Sequence, residues 1–397
     1  MEHIRGCLRR FRRDKRSKES ELNSPPVPPW LPDERPRPLT AVASSPAATA
    51  NSRFFQCLAP EIRHLILVEA FGERTLHLDL RLEHPLKKDS NIVNARPTRH
   101  ANAQLFHPSL RDNTQPQEWT WWSCVCHRRS PSSDFRPHPP GVGLHSEEPA
   151  LDCCRDPSGL PPSSCELYPG QLPGKCFIGV IGWLLACRQA YIEGIHVLYS
   201  TNRFHIASAE LAYCLPRLLP SQHVAAINEV ELSWNIDAAP DVLFYWNANK
   251  KRRPRYGERV AMLTRLPQAL PNLRYLYLSI VGIMFIGPPQ YVLSGQMLYN
   301  ATGNILRPFE AVIAQMPRLQ ECRIALPSTW YSTCKLIEKG QDIDWHGGYH
   351  SEPEALWRSL PTTDGSTDIT AGRQSISGYW LVYGYQDMFS PPLPEVA

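Results

Sequence analysis

Three short segments of this chain carry one alternation of apolar residues and begin at equal distances. They are INEVELSW at Ile227, LRYLYLSI at Leu273 and LQECRIAL at Leu319, with 46 residues in each step. Alternation with a period of two marks a strand. The matched columns are Ile227, Leu273 and Leu319; Val230, Leu276 and Cys322; Leu232, Leu278 and Ile324; and Trp234, Ile280 and Leu326. Helical stretches over 260–270 and 309–316 precede the second and third segments, and Pro271 and Pro317 close them, since proline cannot continue a helix. No such unit buries its own apolar face, so units of this kind stack their strands in parallel with helices behind. The expected fold is α/β, built of irregular helix-strand repeats with parallel strands.

The stretch LLACRQAYIEGIHVLYSTNRFHI, residues 184–206, reads as helix, tight turn and strand. Leu184, Cys187, Tyr191, Ile195 and Leu198 recur at steps of three and four, with Gln189, Glu193 and His196 off that stripe. Ser200, Thr201 and Asn202 bond their own backbone in turns, and Phe204 and Ile206 then alternate with Arg203 and His205 as in a half-buried strand. An earlier unit starts at Phe54. There Leu58, Ile62, Leu65 and Ile66 share one face of a helix of about three turns that Gly72 stops. Leu76, Leu78, Leu80 and Leu82 then alternate with His77, Asp79 and Arg81, the pattern of a strand with one buried face.

Proline and glycine, 39 and 22 residues, are unevenly spread and divide the chain. Residues 1–53 read as a disordered basic, proline-rich leader, 54–84 as the helix and strand, and 85–175 as a mostly disordered insertion. Within the insertion EWTWWSCVCHRR is anchored by Trp119, Trp121 and Trp122, which are too apolar to stay in water. Residues 176–340 form the α/β repeat core and 341–397 a capping segment and tail, with an edge or capping strand at Tyr379 to Tyr385. No window reaches the roughly 18 apolar residues of a membrane helix. The basic N-terminus lacks the apolar region of a secretion signal, and the twelve cysteines read as reduced thiols, so an intracellular place, cytoplasm or nucleus, is expected.

Candidate chemistry is sparse. Cys124, Cys126 and His127, with Cys153, Cys154, Cys165 and Cys176, lack the two-residue gap of a zinc knuckle. Asp342, Asp344, His346, His350 and Glu352 crowd into eleven residues, yet Gly347 and Gly348 break the helical register a metal-hydrolase motif needs. GQLPGKC at Gly170 is one residue short of a phosphate loop and has Cys176 where a hydroxyl is needed. The basic run Lys250, Lys251, Arg252, Arg253 and Arg255 reads as a solvated loop, an import signal or a phosphate contact; few aromatics lie near it to stack bases, so nucleic acid is not the expected partner. Neither a catalytic residue, a cofactor nor a metal follows from these patterns. The expectation is a non-enzymatic binding protein, with a metal-dependent enzyme using Asp344, His346 and His350 as the opposing reading.

Three motifs carry a resemblance. LAPEIRHLI (58–66) is similar to an LPxEIRxxI opening, ACRQAYIEGIHVLYSTNRFHI (186–206) to CRQxYxE and LYSxNxF elements, and WTWWSCVCHRR to an insertion. Together they resemble a group of uncharacterised fungal proteins with an F-box-like opening, a domain of unknown function. The resemblance implies an architecture and an adaptor role, in which an F-box docks on a Skp-type adaptor of a cullin-type ubiquitin ligase. Leu58, Pro60, Ile62 and Ile66 would then be partly exposed to bind that partner. In this chain the proline stands one place late, after Leu58 and Ala59, and one F-box helix is visible. The other reading makes the helix a structural cap buried against the first strand. The strand array also resembles leucine-rich-repeat solenoids, with a longer period and no LxxLxLxxN signature.

Overall fold

The computed structural model describes residues 26–32, 52–85, 87, 111–126, 177–206, 209–235, 263–281, 303, 306–338, 355–361 and 376–384. The first helices and strands among the described residues are α1 (Arg53–Cys57) and α2 (Pro60–Phe71), followed by β1 (Thr75–Glu83) and β2 (Glu118–Val125). Next come α3 (Ile181–Leu184), α4 (Arg188–Ser200), β3 (Arg203–Ile206), α5 (Ala209–Leu218), α6 (Ser221–Ala226) and β4 (Glu229–Asn235). The chain continues through α7 (Leu266–Ala269), β5 (Tyr275–Val281), a helical segment at 306–313, β6 (Glu321–Leu326) and α8 (Ser328–Glu338). It ends with β7 (Leu356–Ser359) and β8 (Gly378–Tyr383).

The eight strands among the described residues join one sheet in the order β2-β1-β3-β4-β5-β6-β8-β7. The run from β1 to β8 is parallel, and β2 and β7 close its two sides in antiparallel pairing. Strands β4, β5 and β6 are the three equally spaced segments, side by side and parallel. Their ladder pairs Val230 with Leu276 and Leu276 with Cys322, then Leu232 with Leu278 and Leu278 with Ile324. Two of the four matched columns are thus lateral neighbours across all three strands, Trp234 and Ile280 pair between β4 and β5, and Ile227, Leu273 and Leu319 stand just before the strands. Each is buried, because it points at the helices: Val230, Leu232, Leu276, Leu278 and Ile324 share one core cluster with Leu215, Val224, Leu266, Phe309 and Trp330. Burying a side chain of this size contributes roughly 1.5–3 kcal/mol, so the helix-facing columns carry the main stabilisation.

Several expectations need correction. The strand at 378–383 is no cap or sheet edge: β8 lies between β6 and β7, so the sheet runs past residue 340 into the segment read as a tail. The tryptophan segment of the insertion is a full strand, β2, paired with β1 from Leu76 to Glu83. Within the leader, residues 26–32 are docked. Trp119 Nε1 donates to the Pro26 carbonyl at 2.6 Å, Leu31 N to the Arg217 carbonyl at 2.8 Å, and the Arg217 guanidinium stands 4.1 Å over the Trp30 ring. Residues 1–25 and 33–51 of the leader lie outside the described residues, as does most of the insertion.

Helix phases differ too. The buried residues of α4 are Ala190, Gly194 and Val197, one step round from the Tyr191 and Ile195 stripe, and Leu184 belongs to the separate α3. Close approach explains the choice of small residues: a Cβ on Gly194 would stand 2.5 Å from Trp183 Cδ1. Cys187 is the N-cap of α4, its Sγ accepting from Ala190 N at 3.4 Å. Strands β1 and β3, expected to bury one face, bury both, since His77, Asp79 and His205 are as enclosed as their leucine and isoleucine neighbours.

Candidate functional site

Helix α2 is the first candidate, and its two faces differ. Arg63, Leu67 and Phe71 point inward. Leu67 and Phe71 pack with Val180 and Val197, and with Trp183 and Leu184 at the rim. Arg63 is inside because it has a partner there: Nε reaches both Glu193 carboxylate oxygens (3.2 and 3.0 Å), Nη2 donates to Oε1 at 2.7 Å, and Nη1 donates to the Leu58 carbonyl at 2.7 Å. Gln189 Nε2 adds a bond to Glu193 at 2.6 Å. Burial works against the Glu193 charge, but the hydrogen bonds from Arg63 and Gln189 outweigh it and hold the carboxyl below its ordinary range. Ring contacts pin α1 as well, with Phe54 and Phe55 centroids 5.1 and 5.9 Å from Trp183.

A second fastening sits at the other end of α2. Asn202 is 1% exposed; its Oδ1 accepts from Arg74 N at 2.9 Å, and its Nδ2 donates to the carbonyls of Phe71 (2.9 Å) and Leu198 (3.0 Å). The motif residues Arg63, Gln189, Glu193 and Asn202 therefore bond one another or the joining backbone. They hold the N-terminal helix on the core.

The outward face of α2 is apolar and open. Ile62, Leu65 and Ile66 are 46%, 62% and 43% exposed. Pro60 is exposed at the first helical position and Leu58 is half-buried at the α1–α2 break. Four more large apolar side chains, Phe177, Ile181, Leu185 and Ile192, are exposed on or beside α3 and α4, the helices packed with α2. Sequence periodicity put Leu58, Ile62, Leu65 and Ile66 on one face of a single helix; Ile62, Leu65 and Ile66 do share the outward face of α2, but Leu58 is extended at the break between α1 and α2, and periodicity gave no sign that a charged pair would take the interior.

A second candidate is the sheet face away from the helices. One row crosses every strand: Cys124, His77, His205, Glu231, Tyr277, Arg323, Trp380 and Trp357 are successive register partners. The row changes character along its length. His205 Nδ1 is 3.0 Å from Glu231 Oε2, and the His77 and His205 rings are 4.7 Å apart. Beyond them Tyr277 packs with Ala325 and Val382, with Tyr275 and Trp380 at the border. Arg203 lies across this face, 2.8 Å from Glu229 and 4.5 Å over the Tyr275 ring. Burial pushes the Tyr275 phenol up to about 12 although Arg203 pulls the other way. Sequence reading missed this row because alternation assigned its polar members to solvent.

Cys124 and Cys126 are buried, and no group of three or more His, Cys, Asp or Glu among the described residues is arranged to hold a metal. His127, Cys153, Cys154, Cys165, Cys176, the cluster Asp342, Asp344, His346, His350 and Glu352, and the basic run at 250–255 lie outside the described residues. No helix among the described residues is long and apolar enough to cross a membrane.

A family model described as a domain of unknown function (DUF7730) matches residues 158–336, a little under half of the chain. The match spans α3 to β6 and most of α8, including the CRQAYIE and LYSTNRF motifs, in agreement with the resemblance to an uncharacterised family. No curated protein and no solved structure matches the chain.

Proposed function

From a chain whose residues 158–336 match a domain of unknown function, we propose that the protein works by binding, with the outward face of α2 as its protein-docking surface. The partner we infer is a Skp-type adaptor of a cullin-type ubiquitin ligase, met by Ile62, Leu65 and Ile66 with Leu58 and Pro60 at the helix start. One observation carries the reading: α2 is fastened through Arg63 on one side and keeps three large aliphatic side chains in water on the other. Leaving such residues exposed costs stability that a partner's apolar surface would recover. The structural-cap reading accounts for the inward face and leaves the outward one without a role.

The test is affinity capture of the intact protein and of an Ile62→Ser, Leu65→Ser, Ile66→Ser variant, read for Skp-type adaptor and cullin. These substitutions spare Arg63, Leu67 and Phe71, so the fold should persist. Capture by the native protein and loss in the variant is expected. Absence of both partners from the native protein, or equal recovery by the variant, would reject the adaptor role.

Behind the helix, we read the 46-residue units as copies of one helix-strand module resembling a leucine-rich-repeat array, whose sheet is the platform. The same turn precedes each strand: Ile227 N donates to Val224 O (3.2 Å), Leu273 N to Leu270 O (3.3 Å) and Leu319 N to Met316 O (3.2 Å). The corners also match, with Arg274 and Tyr275 amides on the Asn228 carbonyl, and Gln320 and Glu321 amides on the Arg274 carbonyl. Equivalent modules should protect the Arg274 and Gln320 amides alike against hydrogen exchange; rapid exchange at one alone would count against equivalence.

A further inference from the structure

Residues 26–32, PVPPWLP, are seated on the core yet belong to neither a helix nor the sheet. Pro26, Pro28, Pro29 and Pro32 dominate them. Proline fixes φ at about −65° and removes a backbone donor, so such a segment loses little conformational freedom on docking. It must be recognised through its carbonyls, its few amides and its side chains. The backbone turns at Pro29, where Trp30 N donates to the Pro28 carbonyl at 2.7 Å. Pro28 is buried, Trp30 and Leu31 are half-buried, and Val27, Pro26, Pro29 and Pro32 are exposed.

The receiving surface matches this segment at three points. Trp119 of β2 offers its indole N–H, which meets the Pro26 carbonyl at 2.6 Å. The Arg217 carbonyl lies in the last turn of α5, where a helix leaves carbonyls without partners, and Pro220 just beyond brings no amide. Leu31 N supplies the missing donor at 2.8 Å. The Arg217 guanidinium stands 4.1 Å over the Trp30 ring. Trp30 and Trp119 both pack against the main core cluster, which holds Leu80 of β1 and Leu215 and Leu218 of α5.

A donor, an acceptor and a cation over an apolar floor thus select a carbonyl, an amide and an aromatic ring, spaced as in Pro26, Leu31 and Trp30. Proline-rich segments are commonly read by aromatic surfaces in this way. The contact does not require the segment to be continuous with the core: residues 33–51 separate it from Ser52 in sequence, and Arg217 and the Trp119–Pro26 bond lie at the surface. A tethered segment of this kind competes with any outside ligand at high effective concentration.

We propose that Trp119 and Arg217 form a binding site for a proline-rich segment of a partner protein, one with an aromatic residue directly after a proline pair, and that residues 26–32 occupy it as the chain's own competitor. The site shares no residue with the outward face of α2 and stands whatever that face docks on.

The probe is the labelled peptide SPPVPPWLPD, residues 24–33, followed by fluorescence anisotropy against the full chain. Trp30→Ala in the protein removes the resident ring, so that variant should bind the peptide saturably and the native chain about tenfold more weakly. Adding Trp119→Phe, which keeps a ring and removes the N–H, should weaken binding about fivefold. The peptide carrying Trp30→Ala should not bind. No binding by the Trp30→Ala protein, equal binding by the native chain, or an affinity unchanged by Trp119→Phe overturns the site. A native dimer in sedimentation that excess peptide dissociates would make the occupant a second copy and overturn the partner assignment. If the Trp30→Ala protein does not fold, the native chain decides: saturable binding of millimolar peptide, lost with the altered peptide, sustains the site, and its absence overturns it.

Discussion

Arg63 and Glu193, 130 residues apart in sequence, are joined by three hydrogen bonds of 2.7 to 3.2 Å that fasten the N-terminal helix to α4. One partner comes from the LAPEIRHLI motif and the other from CRQAYIE. Their side chains are 10% and 18% exposed, enough to keep some contact with water.

Removing one partner should therefore cost less than breaking a fully buried pair. Arg63→Met is expected to lower unfolding stability by about 2 kcal/mol, seen as a lower midpoint in urea at unchanged slope. Adding Glu193→Leu should recover part of the loss, because the stranded carboxylate is gone. A single variant as stable as the native protein would show that the pair holds nothing.

The pair also sets an acid limit. Glu193 binds its proton less readily folded than unfolded, so its contribution is full above the ordinary glutamate value of about 4.3 and is lost as pH falls through the lower folded value. The difference in melting temperature between the native protein and Glu193→Gln should stay constant from pH 7 to about 5 and shrink below about 4. A difference that grows on acidification would reverse the sign and refute the assignment.

Asn202 bonds three backbone groups from three places in the fold. Asn202→Leu leaves an amide and two carbonyls without it in a buried turn, and about 3 kcal/mol of destabilisation is expected. Thermal unfolding would detect it, and a shift below one degree would mean other groups replace the bonds.

The match over 158–336 holds β3, β4, β5 and β6, half of the eight described strands, so the segment alone would expose both the β3 and the β6 edge. We expect 158–336 to unfold non-cooperatively or aggregate, and 26–384 to unfold in one transition, as followed by circular dichroism. Cooperative unfolding of the shorter piece would show that the flanking strands are accessories.

What the sequence makes legible follows from where apolar contrast is strong. Strands β4, β5 and β6 announce themselves because one face is aliphatic and the helices demand it. The phase of α4 was misread because hydrophobicity favours Tyr191 and Ile195, whereas the contact with Trp183 selects Gly194 and Ala190 for size. His77, His205 and Glu231 look like solvent residues in a one-dimensional pattern, and only the sheet register brings them together in a closed row. Arg63 is hidden for a related reason, its partner being 130 residues away. Position 380 and its neighbours were read as a cap since nothing local tells an inner parallel strand from an outer one.

The division of labour on α2, anchoring inside and docking outside, is tested most directly by calorimetric titration of the purified full chain with a purified Skp-type adaptor. The native protein and Arg63→Lys should bind, and the Ile62→Ser, Leu65→Ser, Ile66→Ser variant should show no measurable heat while keeping its native melting temperature. Equal binding by that variant, or no binding by the native protein, would contradict the account.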